Sequence, residues 1–110
     1  MINNYLLKMI SVYITCKDNK EAEKISKRLL KKRLIACANL FPIKSFYWWK
    51  EKINEDNEVA IIAKTDMTNF EEIKREVKKV HSYEIPCIVS WKIEQGNEDY
   101  LDWIKEELEK

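Results

Sequence analysis

The sequence predicts an α+β fold in which an antiparallel sheet carries two helices on one face, with a third helix at the C-terminus. Three observations lead there. β-Branched residues alternate with period two, apolar residues recur at helical spacing behind polar capping residues, and the segments run strand, helix, strand, strand, helix, strand, helix.

Residues 9–16 (MISVYITC) place Ile10, Val12, Ile14 and Cys16 on one face and Ser11, Tyr13 and Thr15 on the other, which predicts a strand. Asp18 stands three residues before Glu21, a capping-box spacing. Ala22, Ile25, Leu29 and Leu30 follow as the apolar stripe of a helix over 19–32, with acids early and bases late, as the helix dipole favours. Residues 34–50 read as one long strand bent near Pro42, which cannot donate a ladder hydrogen bond. Residues 51–57 (EKINEDN) read as a polar turn and 58–65 as the returning strand. Thr68 and Glu71 have capping-box spacing, and Phe70, Ile73, Val77 and Val80 mark a helix over 69–80. Pro86 closes off helix, Cys87–Glu94 reads as a fourth strand, and Asn97 is placed as cap of a last helix with Leu101, Ile104 and Leu108 inward. The first six elements spell βαββαβ, the split pattern of the ferredoxin-like fold. Residues 1–8 are read as an N-terminal tail and 9–110 as a single domain.

Hydrophobic residues make up 45% of the chain, enough for a core, and charged residues 35%, against roughly 25% in ordinary domains. Twenty basic and nineteen acidic residues nearly cancel to +1, so no global field steers the chain to nucleic acid or an anionic membrane. A single glycine, Gly96, excludes glycine-rich phosphate loops. No apolar run approaches the roughly 18–20 residues of a membrane span, and Met1–Met9 is too short and polar for a secretory signal. Cys16, Cys37 and Cys87 are odd in number without C-x-x-C spacing, so reduced thiols and a cytoplasmic setting are expected.

Tyr13, Phe46, Tyr47, Trp48, Trp49 and Trp91 exceed what two short helices can cover. Neighbouring strand residues point to opposite faces, so one sheet face cannot bury both Trp48 and Trp49. A hairpin so rich in aromatic rings is unstable alone in water, and symmetric pairing removes its open edge. Phe46, Tyr47, Trp48 and Trp49 are therefore the expected subunit interface.

Four stretches carry a family resemblance: YITCKDNKEA (13–22), KRLIACANL (32–40), FYWWKEK (46–52) with 58–65 beyond it, and HSYEIP (81–86) followed by GNEDYLDW (96–103). In this order they resemble the CutA family of divalent cation tolerance proteins. The resemblance implies a ferredoxin-like protomer in a tight homotrimer, with hairpins reaching to neighbours and an architecture like PII-type signalling proteins. It also implies a binding role, with copper or another divalent cation as ligand, no tightly bound cofactor and no catalytic residues.

The family's metal pattern joins a cysteine ending the first strand, the histidine of an HPYE-like motif and a glutamate after the next proline. Cys16 and His81 match; the third position is Cys87, and Ser82 stands where proline is usual. Cys16, His81 and Cys87 would form a soft site suited to Cu(I) or Zn, short of the four ligands of a closed structural zinc. The plainer reading makes Cys16 and Cys87 core residues and His81 a helix-end partner. A small-ligand cleft is expected around Ser82–Pro86, with Tyr83 and Glu84 facing Lys64 and Thr65, by analogy of fold alone.

Two further classes fit less well. An RNA-binding sheet needs aromatic residues on its central strands, whereas Val12–Cys16 and Val59–Ala63 are mostly aliphatic, and the basic cluster 27–33 reads as a solvated helix face. With one histidine and no visible triad, an enzyme would depend on a Cys16–His81 nucleophile pair.

Overall fold

The computed structural model of the protein describes residues 8–110, so the expected tail lies, but for Lys8, outside the described residues. Strand β1 (Met9–Cys16) is followed by helix α1 (Asn19–Lys31), strands β2 (Cys37–Trp49) and β3 (Lys52–Asp66), helix α2 (Phe70–Val80), strand β4 (Ile88–Lys92) and helix α3 (Glu98–Leu108). The strands form one antiparallel sheet in the order β2-β3-β1-β4.

The alternation of β1 sorts its side chains as predicted. Ile10, Val12, Ile14 and Cys16 enter the main core with Ala22, Ile25 and Leu29 of α1 and Ile73 and Val77 of α2. Leu30, expected in the same stripe, is 38% exposed, because the stripe on α1 is narrower than four residues per two turns. Asp18 caps α1, its Oδ1 accepting from the Glu21 N–H at 2.8 Å; the Glu21 carboxylate reaches back to the Lys17 N–H at 3.0 Å. Arg33, with φ 57°, ends the helix in the left-handed region.

Three boundaries differ from expectation. β2 begins at Cys37, because Leu34 still closes the α1 terminus, its N–H donating to the Leu29 carbonyl. The hairpin turn is only Lys50–Glu51, with φ 49° and 66°, and residues 52–57 belong to β3, opposite Lys44–Trp49. Their polar composition is that of an exposed strand, which composition alone does not separate from a turn. β4 is shorter than the predicted 87–94. The caps differ too. Asp66, not Thr68, accepts at the start of a short 3₁₀ turn (Met67–Asn69) ahead of α2, from the Thr68 N–H at 2.9 Å. Asn97 occupies the cap position of α3 without a side-chain cap bond, its amide donating instead to Asp99.

The sheet's second face is divided. Met9, on the strand face opposite Ile10, packs with Leu101 and Ile104 in a separate cluster, so α3 covers the end of that face where β1 starts. The other end, around Thr15 and Glu58, stays open beneath the hairpin, which stretches the chain to 50 Å along its long axis.

Candidate functional site

Strand β1 ends where α1 begins and α2 stops, and three side chains meet there. A Cys16 sulfur, a Glu21 carboxylate oxygen and a His81 ring nitrogen all lie within 4.8 Å of one another. Glu21 and His81 are held by backbone groups. The Glu21 carboxylate accepts from the N–H groups of Lys17 at 3.0 Å and Ser82 at 2.9 Å. His81 Nδ1 is 3.0 Å from the Tyr83 N–H, an obligate donor, so Nδ1 accepts. His81 Nε2 lies 2.8 Å from the Thr15 carbonyl oxygen, an obligate acceptor, so Nε2 carries the proton. Burial first, then the charges of Glu21, Glu58 and Asp18, push the Cys16 thiol up to about 12, and it is protonated at neutral pH. The Glu21 carboxyl is held below its ordinary value: burial alone would raise it, and the backbone and side-chain bonds from Lys17 and Ser82 outweigh that.

The predicted trio does not assemble. In the β1–β4 register Ile14 faces Ile88, so the next rung sets Cys87 beside Thr15, on the sheet face opposite Cys16. Cys87 and Thr15 both line the open groove there. The sheet therefore separates Cys87 from Cys16. Glu21, read from the sequence only as part of a helix cap, supplies the third donor, its carboxylate drawn to the loop by the Ser82 N–H.

The groove has a volume of about 730 Å³. Phe46, Tyr47, Trp48 and Trp49 wall one side, Tyr83, Glu84 and Ile85 another, and Glu58 and Thr15 form the floor. Tyr83 and Glu84 both line this groove, but Lys64, expected to face them, does not. Lys64 is six residues beyond Glu58 on β3, roughly 20 Å away along the strand, and its Nζ donates to Asn39 Oδ1 at 2.9 Å. Thr65 is turned into the core, its hydroxyl donating to the Leu34 carbonyl at 2.6 Å. Glu58 is the groove residue that sequence reasoning missed, since a single acid opening a strand carries no signal. Phe46, Trp48 and Ile53, on one face of the hairpin, are 64%, 71% and 67% exposed.

A four-stranded antiparallel sheet with helices α1 and α2 over one face, a projecting aromatic hairpin and a buried thiol–carboxylate–imidazole cluster define a small α+β protein with three donor side chains gathered at the end of its first strand. The chain belongs to the CutA1 divalent ion tolerance protein family, whose model matches residues 10–107. It is 52% identical over 98 residues to the divalent-cation tolerance protein CutA of Archaeoglobus fulgidus, covering 89% of this chain and 96% of that protein. It is 50% identical over 102 residues to the protein of the same name from Pyrococcus horikoshii, covering 93% of this chain and all of that one. A solved structure of CutA from A. fulgidus, described as a periplasmic divalent cation tolerance protein, superposes with a TM-score of 0.89 at 50% identity, over 91% of this chain and 98% of that chain. No helix among the described residues is long and apolar enough to cross a membrane.

Proposed function

We propose that this protein acts in divalent-cation tolerance as a homotrimer of ferredoxin-like protomers that binds copper or a similar ion weakly at Cys16, Glu21 and His81. The observation that carries the reading is the convergence of those three donors within 4.8 Å at one end of β1. The donor set suits an ion that accepts thiolate and imidazole, Cu(I) or Zn(II) before Mg(II) or Ca(II). The same geometry makes the binding weak. Cys16 must give up a proton held to about 12, and His81 must give up one of its two backbone hydrogen bonds, before either can ligate. The three free thiols fit a reducing, cytoplasmic setting.

Titration calorimetry with Cu(I), Cu(II) and Zn(II) on the wild type and Cys16→Ser tests this. Dissociation constants weaker than about 1 µM, weakened further by Cys16→Ser, are expected. A nanomolar site, or binding indifferent to Cys16→Ser, would overturn it.

A second reading, a small-ligand protein, is favoured by the aromatic groove on the opposite sheet face, where Tyr83 and Glu84 stand at the rim. It requires no metal.

A further inference from the structure

The near-zero charge of the chain hides a partition. Residues 17–33 and 70–80, which hold helices α1 and α2, carry twelve basic and six acidic side chains, while the rest carries eight basic and thirteen acidic. The helical layer is therefore strongly positive and the remainder negative.

Within that layer the unpaired charge runs along one line. Lys20, Lys24, Lys27 and Lys31 follow one another at the three- and four-residue spacing of neighbours on one helix face. All four are exposed, and Lys17, also exposed, extends the row past the start of α1. From Lys20 to Lys31 the row spans about 16 Å. It lies opposite Ala22, Ile25 and Leu29, which bury the helix in the main core. The row thus points away from the sheet, and association through the hairpin leaves it in water.

Like charges three and four residues apart weaken a helix, and nothing within the chain relieves them here. Among the described residues no acid stands within ion-pair distance of these five lysines, and Glu23, the one exposed acid of α1, pairs with none of them. The neighbouring cations are treated differently: Arg28, Lys32 and Lys79 surround Glu76, and Arg75 meets Glu72. An unneutralised row beside a paired network is the charge pattern that an external polyanion completes.

The surroundings of the row select the polyanion. Leu30 is the only exposed large apolar side chain on α1 or α2. The face therefore offers no apolar wedge to a bilayer and no ring on which unpaired bases could stack. Lysine ammoniums are point charges that meet phosphates without reading base edges. A duplex segment as long as the row carries about nine phosphates, and the ridge of an α-helix fits the major groove, where both backbones flank it. We propose that the lysine row of α1 docks on the phosphate backbone of double-stranded DNA without sequence preference. This goes beyond cation tolerance and requires no metal at Cys16, Glu21 or His81.

Fluorescence anisotropy of a labelled DNA duplex with the full-length protein tests it. Dissociation constants of about 1–100 µM are expected at about 50 mM salt. Four contacted phosphates give a slope of about −3.6 in log K against log salt, so binding should weaken roughly a hundredfold by about 200 mM. A second duplex of unrelated sequence should bind alike. The triple variant Lys24→Gln, Lys27→Gln, Lys31→Gln should lose at least about tenfold in affinity and about 2–3 units of slope, with its circular dichroism unchanged because all three side chains are exposed. Lys8→Gln with Lys92→Gln and Lys110→Gln, which removes equal charge elsewhere, should stay within about twofold of the wild type. No duplex binding at about 50 mM salt, equal loss in the two triple variants, preference for one sequence, or tighter binding to phosphatidylcholine–phosphatidylserine vesicles than to the duplex would each overturn the proposal.

Discussion

The Tyr83 N–H donates to Nδ1 of His81 at 3.0 Å, while Nε2 of the same ring donates to the Thr15 carbonyl at 2.8 Å. The imidazole is thereby a bridge between the end of β1 and the loop that leads to β4, and it is neutral in its Nε2–H form. Its side chain is completely buried and stands 4.0 Å from the Glu21 carboxylate, which grips the neighbouring Ser82 N–H. Before it can be a ligand, His81 is a structural pin, and that order of roles decides how its variants behave.

His81→Ala removes the pin and leaves the Thr15 carbonyl and the Tyr83 N–H without partners in a closed space. Two buried hydrogen bonds and a ring-sized cavity together predict a loss of about 2–4 kcal/mol. Urea unfolding of wild type and variant at one fixed protein concentration measures it, the concentration held because association would shift the midpoint. A loss below about 1 kcal/mol would show that the loop is held by other contacts.

Glu76 joins α1 to α2. Its carboxylate lies 2.9 Å from Lys79 Nζ, 3.0 Å from Arg28 Nε and 3.4 Å from Lys32 Nζ. Lys79 first, with Lys32 and Arg28, holds the carboxyl down to about 2 from its ordinary 4.5. A carboxyl lowered in the folded state stabilises above the unfolded value, and that contribution is lost as the pH falls through the folded one. Stability of the wild type should therefore decline between about pH 4.5 and 2, and Glu76→Gln should be less stable at pH 7 but lack this part of the decline. Urea midpoints at pH 7, 4 and 2.5 separate the two curves; parallel curves would remove Glu76 from the acid response.

Lys50 and Glu51 turn the hairpin with both backbones in the left-handed region, at φ 49° and 66°. That is the type I′ geometry, which asparagine and glycine adopt readily and other side chains at a cost of about 1–2 kcal/mol per residue. The double substitution Lys50→Asn with Glu51→Gly relieves the strain, while the added glycine loosens the unfolded chain, so a net gain of about 1 kcal/mol is expected. Thermal unfolding reads it, and a destabilised variant would mean that Lys50, whose Nζ lies 5.8 Å from the centre of the Trp49 ring, contributes more than the strain costs.

How much of this was legible in the sequence depends on whether the signal was local. The faces of β1, the Asp18 cap and the inward residues of α2 follow from period and spacing, and the structure repeats them. The residues from Lys52 to Asn57 were not legible as strand, because only their pairing with the Lys44–Trp49 segment makes them one. The site was legible in part. Cys16 and His81 meet as the family pattern implies, but Cys87 is sent to the other face by its register beside Thr15, a fact of strand pairing that no spacing reveals. Lys64 fails to reach Tyr83 for a related reason: β3 runs on past Glu58 and carries it to the far end of the sheet.

The hairpin supplies the last prediction. Trp48 lies opposite Ile53, and with Phe46 two residues away it forms an apolar ribbon on a strand pair whose outer edge, β2, has no strand neighbour among the described residues. Large exposed rings beside an open strand edge are the features that association removes. Light scattering of the wild type at micromolar concentration should give three times the 13.3 kDa of one chain. Trp48→Glu places a charge in the ribbon without touching the core, because the side chain is 71% exposed in the single chain. It should shift the population toward smaller species, with a loss of about 2 kcal/mol or more of association free energy if the ring is buried by a neighbour. Circular dichroism should show the protomer fold retained, which separates lost association from lost folding. A wild-type mass of one chain would end the trimer proposal, and a trimer untouched by Trp48→Glu would move the interface away from this ribbon.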